Sequence, residues 1–593
     1  MKIVLLRLCA SLVLLVCGTL PGLAQSAGGA RFDGPAELPR LYVHSSLSAT
    51  PAPGKSLMVK DGGELQSALE AVHCGDRILL QSGARFVGNF KFPARECDDA
   101  HWIVVRTSAA DSALPAEGTR ITPCYAGIAS LPGRPAYACS SPSNVMAKLV
   151  STARNAATVI LEDGANHYRF LGLEITRESP DLVYAVISMQ GKGTNHHLVF
   201  DRDWIHGTAQ DETTRGIALG TSAYVAVVDS YFTDFHCVAF GNCVDSQAIV
   251  GGLGDSPMGP YKIVNNFLEA AGENIMFGGG EATLSPSDIE IRRNHLFKPL
   301  TWRSGSQGFV GGRSGKPFIV KNLFELKNAQ RVLFEGNILD NTWSGFTQFG
   351  FAILLTPKNQ SNRCPLCKTA DLTIRFCRVS HAASGLEMGT GLSSAGGASS
   401  GGARYSIHDV VFDDIDGEVY EGFGALFQIT SRMPTLHDVS IDHITGFPPT
   451  VLFILGVDVD LPKIINFSFT NNLVGVGRNE IAPTGGGPKN CAFQTRRQGP
   501  TGVLKSCFAS FNFTHNALVG SAGGWPDGNT NPRDAAAVHM QDFRQGKGGD
   551  YRLCAEKDVG NCKAASTLRK AASDDKDVGA DLDAIKAATD GVE

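Results

Sequence analysis

Short runs of alternating apolar and polar residues recur along most of the chain, often punctuated by Asn or Asp and then another apolar residue. HYRFLGLEI (167–175), HLVFDRDWI (197–205), YVAVVDSYF (224–232), YKIVNNFL (261–268) and IEIRRNHLF (289–297) share this beat. RVLFEGNIL (331–339), LTIRFCRV (372–379), HDVSIDHI (437–444), INFSFTNNL (465–473) and FNFTHNAL (511–518) continue it. Period-2 alternation predicts strands. No helical pattern falls between them, which excludes βαβ units. Starts recur 27–46 residues apart, except for one interval of 65 between 372 and 437, and Gly-rich insertions fill the longer intervals. Strand units at that spacing predict a solenoid or a propeller, and three short runs per unit select a parallel β-helix.

The recurrent Asn fits that fold. A turn residue in each coil stacks over its equivalent about 4.8 Å away, and an amide side chain can bond in both directions. Asn266, Asn294, Asn337, Asn472 and Asn516 are expected to form such a ladder, with a structural role. The open end of the solenoid needs a cover. Leu65, Leu69 and Val72 in ELQSALEAV suit a short capping helix, and the C-terminal DVGADLDAIKAA predicts a second. The predicted layout is a signal peptide over 1–24, an extended lead-in over 25–55, and one β-helix domain with caps at both ends over 56–593.

The leader has a basic start at Lys2 and Arg7, an apolar run, and small residues up to Ala24, the pattern of an export signal. It predicts a secreted protein, extracellular or periplasmic. Thirteen of the 15 cysteines lie beyond it, and most fall in local pairs: 74/97, 124/139, 237/243, 364/367, 491/507 and 554/562. Disulfides are the expected chemistry in an oxidising compartment. Cys364-Pro-Leu-Cys367 has no second CxxC to complete a zinc site, and Cys377 is left over. A net charge of −5 argues against nucleic acid as a partner, and no later segment predicts a membrane span.

The repeat, the opening GGELQSALEAVHCGDRILLQSG and the final DVGADLDAI resemble the right-handed parallel β-helix, or pectin-lyase-like, superfamily of secreted bacterial proteins, from about Val59 to Ile585. Val264–Thr356, with GENIMFGG and VKNLFELKN, resembles a group of exported β-helix proteins without settled activity. The resemblance implies an all-β fold and a sugar-binding groove on the strand after each ladder turn. The superfamily hosts lyases, hydrolases, epimerases and adhesins, so fold alone does not choose between them.

The matching strands here are RGIALG (215–220), VDSQAIV (244–250), ENIMFGG (273–279), NLFELKN (322–328), FAILLTP (351–357) and ALFQIT (425–430). Alternation turns Phe324 and Leu326 inward and Glu325 and Lys327 outward. It turns Ala248 and Val250 inward, with Asp245 and Gln247 outward. Ile275 and Phe277 inward leave Asn274 and Met276 outward, with Glu273 at the strand's entrance. Gln428 extends the row.

Such a strip suits β-elimination of a uronate polymer. Lys327 is the candidate base, its pKa depressed by burial or by Arg331. Asp245, Glu273 and Glu325 could hold a calcium ion. Paired carboxylates from the same set would suit a glycoside hydrolase. Arg215, His295 and Lys298 are candidate substrate contacts, and Trp302 and Trp343 candidate stacking platforms. The competing reading of Glu325 and Lys327 is a plain ion pair. The leading expectation is a monomeric, secreted protein acting on an extracellular polysaccharide, a lyase before a hydrolase. The alternative is a carbohydrate-binding surface protein without catalysis.

Overall fold

The computed structural model describes residues 31–189, 194–238, 243–346, 348–358, 364, 366–391, 401–557 and 560–593. The leader, with Cys9 and Cys17, lies outside them, as do the first residues of the lead-in and the middle of the 385–402 Gly-rich run.

From Phe32 the chain is a parallel β-helix. A typical coil contributes Tyr261–Val264 and Phe267–Ala270 to one long sheet and Glu273–Phe277 to another. Each strand pairs in parallel with its equivalent one coil on: Ile263 with Ile291, Leu268 with Leu296, Ile275 with Phe324. The second sheet has twelve strands, from Phe90–Phe92 to Ile481–Pro483. All six strands picked out as groove strands belong to it. Inward side chains stack into one apolar column, with Ile249, Ile275, Phe324, Ile353, Leu386 and Phe427 in register.

The ladder forms at the corner between the two runs of the long sheet. Asn265, Arg293 and Gly336 turn the corner with φ of 59°, 56° and 63°, and the ladder residue is the one that follows. Asn266 Nδ2 donates to Asn294 Oδ1 at 2.9 Å, and Asn294 Nδ2 to Asn337 Oδ1 at 3.0 Å. Asn472 donates to Asn516 and Asn516 to Asn529, both at 2.8 Å. Between Asn337 and Asn472 the position passes to Cys377, Val410 and Ile444. The unpaired cysteine is therefore a buried turn residue, and burial pushes its thiol up to about 12.

All six local cysteine pairs are disulfides, Cys364–Cys367 included. Helix Leu65–Ala71 covers the first coil, burying Leu65 and Leu69 in the common core. The C-terminal helix, Leu582–Thr589, is present but is not an end cap. It packs on the flank against Thr369–Ala382 and Gly402–Ile415. At the C-terminal end, helices Cys491–Thr495 and Gly499–Cys507, joined by a disulfide, extend the core instead. The lead-in is also docked: Asp33 pairs with Arg375 at 2.7 Å and with His408 at 3.1 Å.

Candidate functional site

The outward face of the twelve-strand sheet carries one in-register row: Val250, Met276, Glu325, Leu354, Glu387, Gln428, Ile454 and Ala482. Two adjoining hollows open along it. One, of about 460 Å³, is lined by Glu325, Lys327, Lys358, Glu387, Gln428 and the aromatic pair Phe349 and Phe423. The other, of about 480 Å³, continues past Lys358 and Glu387 to Thr430, Arg432, Thr484 and Lys489. Gly389 and Gly456 keep its floor open, since a Cβ there would meet the Thr430 and Thr484 hydroxyls.

Glu325, Lys327 and Gln428 therefore lie in one groove, as alternation predicts. Gln247 and Glu273 also share a register position, and Gln247 Nε2 donates to Glu273 Oε2 at 2.8 Å. The alternation breaks immediately afterwards. Ala248 and Ile249 both face the core, because the chain turns a corner between 247 and 248. A Cβ at the preceding coil's Gly216 would strike the core rings of Phe232 and Phe235. Val250 is thus outward, contrary to expectation, and so is Asn274's assignment reversed. Asn274 is fully buried and donates to Leu268 O and Phe297 O.

Lys298 is no substrate contact either. Its Nζ donates into the interior, to Ala270 O, Gly272 O, Asn274 Oδ1 and Asn322 O at 2.6–3.1 Å. Burial pushes it down to about 7, and its work is to hold a corner closed. His295 sits on the other sheet, buried between Phe267 and Phe297 with Nε2 3.0 Å from Asp340. Trp302 and Trp343 are 1% and 4% exposed and pack with Phe318 and Tyr420 in a satellite cluster, so neither can stack on a sugar. The exposed aromatics in the groove are Phe349 and Phe423, stacked 4.6 Å apart. They sit in insertions outside the strand beat, where periodicity gives no signal. Arg215 keeps its place in the row of Gln247 and lies over the Tyr184 ring, 4.3 Å from its centroid.

Two lysines organise the acids. Lys327 Nζ is 2.9 Å from Glu325 Oε1, and Lys321, not anticipated from sequence, is 3.0 Å from Asp245 and 3.5 Å from Glu273. Burial works against the Lys327 charge, yet the Glu325 and Glu273 carboxylates hold its pKa above the ordinary value. The depressed pKa required of a neutral lysine base is absent, and Arg331 is occupied by Asp288 at 2.7 Å. Burial and the neighbouring Glu273 push Asp245 up to about 7. Glu387 is also raised, by burial, against the opposing effects of Lys358 and the Gln428 amide.

Asp245, Glu273 and Glu325 do not fit a calcium shell. Such a shell needs converging oxygens, and here ammonium groups already lie between and beside the carboxylates. Among the described residues, the group of His, Cys, Asp or Glu whose ligand atoms lie within 4.8 Å of one another is His167, His196 and His197.

No family model matches the chain, and no curated protein does. Among solved structures it is similar to the pectate lyase Pel9A, at 11% identity and a TM-score of 0.36, over 90% of this chain and 97% of that one. An alginate lyase from a Paenibacillus species gives 11% and 0.29, over 72% and 95%. The family 28 exopolygalacturonase of Yersinia enterocolitica gives 12% and 0.29, over 78% and 79%. What fixes the architecture is the strand pairing of this chain itself, and by that pairing it is a parallel β-helix protein.

Proposed function

We propose that this is an exported, polysaccharide-active β-helix enzyme that cleaves an acidic glycan by β-elimination in the Glu325–Gln428 groove. The observation that carries the reading is the in-register row beside the two hollows. Glu325, Glu387 and Gln428 are in register on one face, with Lys327 and Lys358 beside them and Phe349 and Phe423 exposed at the edge. A groove carrying Glu325, Glu387 and Gln428 and flanked by cations suits a polymer bearing carboxylates, and the phenyl pair offers an apolar platform for a sugar face. Six disulfides fit an oxidising compartment. No helix among the described residues is long and apolar enough to cross a membrane.

In this reading Lys327 and Lys358 bind and neutralise the uronate carboxylate, which acidifies the adjacent C5–H. Glu387 takes that proton, and burial, by raising its pKa, strengthens it as a base. The electron pair forms the C4=C5 double bond, the C4–O bond breaks, and the leaving oxygen is protonated from solvent. Lys327 is then a charge neutraliser and not the base.

A specific feature favours hydrolysis as the second reading. Glu325 and Glu387 are two coils apart in one row, about 9.6 Å at the backbone, near the carboxylate spacing of inverting glycosidases. A panel of uronate polymers separates the outcomes. Unsaturated products that absorb in the ultraviolet support elimination, and reducing ends without that absorbance indicate hydrolysis. Binding without product indicates a lectin-like role. Lys327→Ala is expected to raise KM at least about tenfold; unchanged kinetics would remove Lys327 from the site.

A further inference from the structure

A second cluster lies on earlier coils, outside the groove. His167 and His197 occupy equivalent corner positions, with φ of 54° and 52°, at the start of strands Asn166–Leu171 and Asn195–Asp201. Their rings stack 4.6 Å apart and within 5° of parallel, and Tyr224 continues the stack. Stacking accounts for two imidazoles. It does not account for His196, whose Nδ1 is 2.8 Å from His197 Nδ1. Nor does it account for Asp99, whose Oδ1 is 3.3 Å from His167 Nε2 and 3.9 Å from His197 Nε2.

The hydrogen positions are constrained. Asn166 Nδ2 donates to Arg95 O and Gly164 O, so its Oδ1, 2.7 Å from His167 Nδ1, is an acceptor. His167 thus carries a hydrogen on Nδ1, and its Nε2 faces the Asp99 carboxylate. A second ring hydrogen or a metal ion can lie between them. The His196–His197 contact is a ring-to-ring N–H···N hydrogen bond.

We propose that His167, His196, His197 and Asp99 form a binding site for a divalent transition metal of the zinc class. The three imidazole donors lie within 4.8 Å of one another. In a tetrahedral zinc shell, with bonds of about 2.0–2.1 Å, neighbouring ligand atoms stand about 3.3 Å apart. Asp99 is 85% exposed and can complete the shell by a small side-chain movement. Asn166 supplies the outer hydrogen bond that metal-bound imidazoles ordinarily have. Four protein ligands make a structural rather than a catalytic shell. The ion would fasten the segment after Cys97, already tied to Cys74, onto the coils beside the N-terminal cap.

The purified, chelator-treated protein titrated with zinc chloride in a calorimeter tests this, with cobalt substitution read by visible absorbance. One zinc per chain and an intense, tetrahedral cobalt spectrum are expected. His197→Asn, chosen because Asn accepts the left-handed corner, should weaken zinc binding at least about 100-fold. Asp99→Asn, in an exposed loop with little risk to folding, should weaken it at least about tenfold. Zinc uptake no greater than that of the His167→Asn/His196→Asn/His197→Asn variant would overturn the proposal, leaving a protonated His167–Asp99 pair. Affinity unchanged in both His197→Asn and Asp99→Asn would overturn it equally.

Discussion

Glu387 is the residue whose protonation state decides what the groove can do. Burial raises its pKa, and the two readings of the site need opposite forms. As the base of an elimination it must be ionised, so turnover rises as pH climbs through its pKa; as the acid of a hydrolysis it must be protonated, so turnover falls over the same range. Glu387→Gln is expected to abolish that limb and cut kcat at least about 100-fold. A retained limb in Glu387→Gln would acquit the residue. Asp245 makes a second prediction. Its folded pKa of about 7 stands above the ordinary 3.8, so the folded state binds the proton more tightly than the unfolded chain. Its contribution to stability is complete below about pH 4 and is lost as pH rises to about 7. In urea titrations, Asp245→Asn should therefore gain on the native protein over that window, by on the order of 2 kcal/mol. A constant difference from pH 4 to 8 would show that Asp245 does not titrate there. Glu325, Lys327 and Gln428 were legible because they sit mid-strand, where alternation holds. Asn274 was not, because a corner adds an inward residue and shifts the parity, and no residue type in QAIV or ENIM marks that bend.

At the level of the element, the corner ladder shows how a repeat with little sequence identity holds register. Asn294 alone accepts from the Asn266 backbone and side chain and donates to Ile263 O and Asn337 Oδ1. Asn294→Ala removes these bonds and leaves buried donors on Asn266 without an acceptor. A loss of about 2–4 kcal/mol is expected, measured by denaturant unfolding, with Asn294→Asp costing no less because it cannot donate. A loss under about 0.5 kcal/mol would mean that the strands set register without the amides. The ladder was readable from the recurring Asn, and so were the strands and the N-terminal helix. His295, Trp302 and Trp343 were misread. Trp302 and Trp343 pack against Phe318, Val320 and Tyr420 from distant loops, and His295 starts a strand that seats it between Phe267 and Phe297. Long-range cover of that kind leaves no trace in local periodicity. Phe349 and Phe423 are the converse case, apolar residues left exposed because their loops project beside the groove.

Across the whole molecule, the ladder's gap and the two chain ends coincide. Amides are missing at Cys377, Val410 and Ile444, in strands Thr369–Ala382, Gly402–Ile415 and His437–Gly446. The first two of these strands receive the lead-in, through Asp33 on Arg375 and His408, and the C-terminal helix on top. The last residues then run on to earlier coils. Ile585 and Val592 are buried, Arg293 donates to Ala588 O at 2.8 Å, and Arg120 donates to Val592 O at 2.8 Å. In a solenoid each coil touches mainly its neighbours, so stability is a local quantity. Both ends act as lateral straps that supply, from outside, the cross-coil bonding that the corner lacks within. Removing residues 581–593 should therefore loosen the strapped coils and leave distant ones alone. Hydrogen exchange is expected to quicken in Thr369–Ala382 and Gly402–Ile415 and to stay unchanged in Phe90–Phe92 and Val159–Leu161. Faster exchange at both places alike would mean that the solenoid opens as one unit, and exchange unchanged at both would mean that the strap holds nothing. Cys377→Asn in the truncated chain provides the converse test. If the amide is what the corner lacks, restoring it beside Asn337 should slow exchange in Thr369–Ala382 again.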